Sequence, residues 1–104
     1  IFNAPLDAGD GGPEFRQDLE DYILPAVRSF QPNIVFISAG FDAHVLDPLA
    51  SLRFEEEDFE WATAELKKVA QEFACGRLVS TLEGGYDLEA LGNSVQAHVS
   101  ALMT

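Results

Sequence analysis

Asn33-Ile34-Val35-Phe36-Ile37-Ser38-Ala39-Gly40-Phe41-Asp42-Ala43-His44 is the stretch whose reading decides the fold. Four large apolar residues in unbroken succession, Ile34 to Ile37, are the pattern of a strand buried on both faces, which a parallel sheet flanked by helices produces. We place this strand at residues 33–38. Ala39 and Gly40 end it, and Asp42 follows at its carboxyl end, the edge of an open α/β sheet where ligand sites collect. A second strand at residues 77–82 ends in a similar way, with Glu83-Gly84-Gly85-Tyr86 leaving its carboxyl end.

Helical periodicity surrounds the two strands. Upstream, Pro13 suits a first helical turn, where no N–H is needed. Phe15, Leu19, Tyr22, Ile23, Val27 and Phe30 then mark one helical face over residues 14–30. Pro25 falls inside that pattern and predicts a kink or an early end. The opening residues 1–6 read as a short edge strand, a position that tolerates Pro5, and residues 7–12 as a turn-rich loop. Between the strands, residues 39–53 form a long loop whose apolar anchors Phe41, Leu46, Leu49 and Leu52 predict order. The acids at 55–58 complement the dipole of a following helix that runs to Ala74, and Gly76 supplies its left-handed stop. Asp87 caps a third helix with Leu88, Leu91, Val95, Val99 and Leu102 on one face. Parallel strands joined by a helix follow from this order. If the strands are neighbours, Asp42 and Tyr86 reach one crevice from positions 44 apart in the chain.

With 104 residues the chain has room for one domain. Its formal charge of −12, from 18 acids and 6 bases, argues against a phosphate-backbone partner, so no nucleic acid is expected. Cys75 is the single cysteine, which excludes an internal disulfide and any cysteine-based metal cluster. No apolar run reaches membrane-spanning length, and we expect a cytoplasmic chain with no membrane partner. It begins at Ile1, and its first residues read as the middle of a longer protein.

Each notable residue has a plain structural reading. Asp42 and His44 form a D-x-H pair, yet two residues so spaced on an extended segment point to opposite sides, and spacing alone assigns no metal. Asp47-Pro48 reads as a turn. Gly84-Gly85 reads as a tight bend that also lets a backbone approach a ligand closely. Tyr86 is either a packed aromatic or an acid at a site, while His98 and Cys75 read as structural. No G-x-S-x-G, phosphate loop or Cys/His nucleophile pair is present.

Two motifs carry a resemblance that covers essentially the whole chain. Ser38-Ala39-Gly40-Phe41-Asp42-Ala43-His44 with Asp47-Pro48-Leu49, and Leu82-Glu83-Gly84-Gly85-Tyr86 with Leu88, resemble the carboxyl-terminal signatures of the zinc-dependent histone deacetylase and acetylpolyamine amidohydrolase family. Asn3-Ala4-Pro5-Leu6 and Ile23-Leu24-Pro25-Ala26 resemble it too, closest to class II and bacterial members. The resemblance implies an α/β, three-layer parallel sheet flanked by helices, as the carboxyl-terminal part of an arginase/deacetylase-like fold, in one partial domain over residues 1–104. It also implies Asp42 as a zinc ligand, Tyr86 as the catalytic hydroxyl that supports the oxyanion, Gly85 and Leu49 in the substrate channel, and no ligand role for His44. The substrate would be an acyl-lysine or an acylpolyamine. A catalytic zinc takes three protein ligands, and the family's other ligands and tandem histidines match nothing here. The chain alone is therefore expected to be inactive, to hold zinc weakly and to self-associate. The alternative reading is a non-catalytic, oligomeric α/β interaction or structural module, and an upstream Asp-x-His and His-His would separate the two.

Overall fold

The structure, a computed structural model, describes residues 1–104. Helix α1 spans Gly12–Asp18, α2 Leu24–Phe30, α3 Glu56–Phe73 and α4 Leu88–Met103, with strands β1 at Val35–Ala39 and β2 at Leu78–Leu82. The strands are parallel neighbours, Val35 opposite Leu78 and Ala39 opposite Leu82. The expected order and α/β class are those observed, with small shifts at the element ends.

The opening residues form no strand. Phe2 instead sets its ring edge against Tyr22, 5.7 Å between centroids, and Leu6 joins an apolar cluster. Pro5, with no N–H, has nothing to donate to a ladder there. Pro25 does not end the helical segment, which runs on to Phe30. A π-turn at Leu19–Ile23 joins α1 to α2, and the Leu24 N–H reaches back to the carbonyl of Leu19. The wider turn accommodates a ring that would clash with the carbonyl four residues back in a regular α-helix. The segment stops at Gln31, whose φ of 54° is left-handed.

Two apolar clusters form the core, and Ile37 packs against both. One joins Leu24 and Val35 to Val69, Ala70 and Ala74 of the α3 segment. The other joins Ala39 and Phe41 to Phe54 and Phe59. Both lie on the face of the sheet that carries Val35, Ile37, Ala39 and Ser80. Alternation sends Phe36 and Val79 to the opposite face, where they are 71% and 47% exposed. The strand expected to be buried on both faces is therefore covered by helices on one face only within these residues. An unbroken apolar run records that both faces are apolar; it does not say which elements cover them.

The long loop is ordered. Its Ala43 carbonyl accepts from Phe54 N–H at 3.0 Å, Val45 N–H donates to the Phe54 carbonyl at 2.8 Å, and Arg53 N–H donates to the Asp10 carbonyl at 2.8 Å. The acids of α3 go beyond dipole complementation. Asp58 is buried, accepts from the Glu55 N–H at 2.9 Å, and receives Arg16 Nε of α1 at 3.1 Å.

Candidate functional site

Pairing of the two strands continues past their ends. Glu83 N–H donates to the Ala39 carbonyl at 2.9 Å and Phe41 N–H to the Gly84 carbonyl at 2.8 Å. These bonds bring Asp42 and the Gly84-Gly85-Tyr86 turn to the same edge, the convergence that the sequence made conditional on neighbouring strands. The Asp42 carboxylate lies across two glycines. A Cβ on Gly84 would stand 2.9 Å from its Oδ1 and 3.1 Å from its Oδ2, and one on Gly40 would stand 3.1 Å from Oδ1. No N–H or O–H of the chain donates to this carboxylate. Gly85 has φ 138°, and a Cβ there would meet the Leu91 side chain at 2.7 Å, so the turn requires glycine.

Asp47 joins the two loops of the edge. It is buried, and its Oδ2 accepts the N–H of Tyr86 at 2.7 Å and of Asp87 at 3.3 Å, while Oδ1 accepts the N–H of Leu49 at 3.0 Å. Burial alone would raise its pKa, but the N–H groups of Leu49, Tyr86 and Asp87 outweigh that and hold the carboxyl below its usual range. Tyr86 and Leu49 themselves are 58% and 64% exposed, so their side chains project from anchored backbone.

His44 turns inward instead of joining Asp42. It is buried, its Nδ1 accepts from Leu46 N–H at 3.1 Å, and its Nε2 lies 3.2 Å from Glu56 Oε2, off the hydrogen-bond direction. Because Nδ1 is an acceptor, the ring proton sits on Nε2, toward the carboxylate. The Glu56 carboxyl is held below its ordinary pKa by its own backbone N–H and, against the opposing effect of burial, by His44.

His98 is structural, as its helical position suggested. Thr63 Oγ1 donates to the Phe59 carbonyl at 2.6 Å and so accepts from His98 Nδ1 at 2.7 Å, leaving Nε2 to accept from Ser80 Oγ at 2.8 Å. Its ring also meets Phe41 edge-on, 5.6 Å between centroids, directly behind the strand end that carries Asp42. Asp47 is the residue that sequence reasoning missed. An Asp-Pro pair signals a turn, and its three backbone partners, two of them about forty positions away, leave no mark in local sequence. Beneath the edge, an apolar cavity of about 310 Å³ opens between Phe15, Ile23, Ile37, Phe41 and Leu66.

Comparison with known proteins places the chain in a family. Residues 1–102 match the histone deacetylase domain model. Histone deacetylase 14, chloroplastic, of Arabidopsis thaliana is 44% identical over 97% of this chain and 24% of its own length. The histone deacetylase-like amidohydrolase of Pseudomonas aeruginosa is 38% identical over 81% of this chain and 22% of its own. Among solved structures, the HDA15 HD domain superimposes with a TM-score of 0.86 at 30% identity, over 93% of this chain and 26% of that one. The chain thus spans about a quarter of the length of these relatives. With a domain match along nearly its whole length and the fold of solved deacetylase domains, the chain belongs to the histone deacetylase family.

Proposed function

We propose that this chain supplies the Asp42–Tyr86 part of a zinc amidohydrolase site that removes acyl groups from acyl-lysine or acylpolyamine amides. The observation that carries this reading is the Asp42 carboxylate, laid over Gly40 and Gly84 with no donor of the chain bound to it, one turn from an exposed tyrosine. An anionic oxygen pair held open at a strand edge fits a divalent cation. Asp42 would be one of its ligands. A catalytic zinc takes three protein ligands, and this reading draws the other two and the general base from groups outside these residues. Zinc, when bound, supplies Lewis acidity toward the amide carbonyl and lowers the pKa of water. Within this chain, the hydroxyl of Tyr86 donates to the oxygen on which negative charge develops, and Gly85 and Leu49 border the path of the acyl-amine chain. His44 takes no part in metal binding, because its buried ring accepts the Leu46 N–H at Nδ1 and turns Nε2 toward Glu56, away from Asp42.

Tyr86→Phe in the full-length enzyme that carries this segment tests the reading. Loss of one oxyanion donor should lower kcat by roughly a hundredfold or more with little change in KM. Assays with acetyl-lysine peptides and acetylpolyamines give the number and the preferred amine together. Undiminished turnover would remove Tyr86 from the mechanism.

A further inference from the structure

Tyr86 and Leu49 face solvent, so packing does not fix where their side chains point. Their backbones are fixed instead, and by one group. Asp47 divides its two oxygens between the two loops, Oδ1 to the N–H of Leu49 and Oδ2 to the N–H groups of Tyr86 and Asp87. Its own N–H donates to the His44 carbonyl at 2.9 Å, which ties this junction back toward Asp42. We propose that Asp47 is the positioning residue of the candidate site, setting the Tyr86 hydroxyl and the Leu49 side chain in register with each other and with Asp42.

The inference rests on the role given to Tyr86 above, and goes beyond it in assigning the orientation of that tyrosine to a residue outside the metal site. The chemistry requires a carboxylate. Every partner of the two oxygens is a donor, and an ionised carboxylate is acceptor-only on both sides. An amide of the same size offers one acceptor and one NH₂, so either the Leu49 side or the Tyr86–Asp87 side would face donor against donor. The same three bonds stabilise the start of α4, because Asp87, one of the donors, caps that helix through its side chain to Ala90 N–H at 2.9 Å.

Asp47→Asn, Tyr86→Phe and the double variant, made in the full-length enzyme, test the proposal. Asp47→Asn should lower kcat by about tenfold or more and leave KM within about threefold. In the Tyr86→Phe background the same change should cost much less, since the group it positions is gone. Hydrogen exchange followed by mass spectrometry should show faster exchange in the peptide spanning residues 84–88 and none in those of β1 and α3. Independent, multiplicative losses in the double variant would overturn the proposal, as would faster exchange throughout the domain, which marks a merely structural role. Undiminished turnover in Tyr86→Phe together with local loosening in Asp47→Asn would instead sink the functional reading and leave the junction standing.

Discussion

At the scale of single residues, two glycines make opposite predictions. A methyl group on Gly84 would press on the Asp42 carboxylate at 2.9 Å, so Gly84→Ala must push that carboxylate from its place. Gly84 is absent from the positive-φ residues, so alanine is not barred there by backbone strain. In the full-length enzyme, zinc affinity and turnover should therefore both fall by about tenfold or more while the melting temperature barely moves. Isothermal titration with zinc and a thermal melt check the pair, and retained zinc affinity would mean that Asp42 holds no metal. Gly92 is the counterpart: it lies inside α4, and nothing stands within 4 Å of where its Cβ would be. Gly92→Ala should raise stability by about 0.5–1 kcal/mol through helix propensity alone and leave activity unchanged, which a denaturant titration measures.

At the scale of elements, His98 connects α4 to α3 through Thr63 and to β2 through Ser80. Burial holds its folded pKa below the ordinary 6.5, while the unfolded chain takes up a proton near that value. The unfolded state then binds more protons in the window from about pH 6.5 down to the folded pKa, so this histidine lowers stability as pH falls through that window and has no effect above it. Denaturation at about pH 7.5 and about pH 5.5 should show a smaller loss for His98→Gln, which keeps polar groups but does not titrate; equal losses would exonerate His98. Elements were also where the sequence was most legible. Periodicity located α3 and α4, the apolar run located β1, and the two strand-end motifs located the edge that carries Asp42 and Tyr86. What stayed hidden was nonlocal. Pro25 announced a disturbance, but whether a helix kinks, ends or widens into a π-turn depends on what packs around Leu24, which is buried against Val69. Asp47 was illegible for the same reason, since two of its three partners come from the far side of the crossover. The buried Asp58 was hidden among four acids in a row, and its ion pair is with Arg16, 42 positions earlier.

At the scale of the whole molecule, the surface is larger than the mass requires. The accessible area is 6319 Å², whereas a compact monomer of this mass exposes about 5,800 Å². Only 20 of the 104 residues are buried, which leaves much of the 47% hydrophobic composition facing water. Part of that apolar surface belongs to the sheet: Phe36 and Val79 on its bare face, with Phe30 and Leu82 exposed near the ends of its two strands. Two strands also leave unpaired backbone groups along both outer edges of the sheet. Covering such a face is favourable at about 25 cal/mol per Å² of apolar surface, and a twofold dimer is the commonest way for one chain to do it. A net charge of −12 opposes association, but at ordinary salt charges on a surface are screened within about 8–10 Å. The 104-residue chain on its own should therefore self-associate, more strongly as salt rises. Analytical ultracentrifugation over a dilution series should show a concentration-dependent sedimentation coefficient. Phe36→Glu, which sets a charge in the middle of the bare face without touching either apolar cluster, should shift the equilibrium to monomer at unchanged helix content. A wild-type chain that stays monomeric at every concentration and salt would show that the bare sheet face is tolerated in water, and that the apolar run which located β1 is needed for something other than burial.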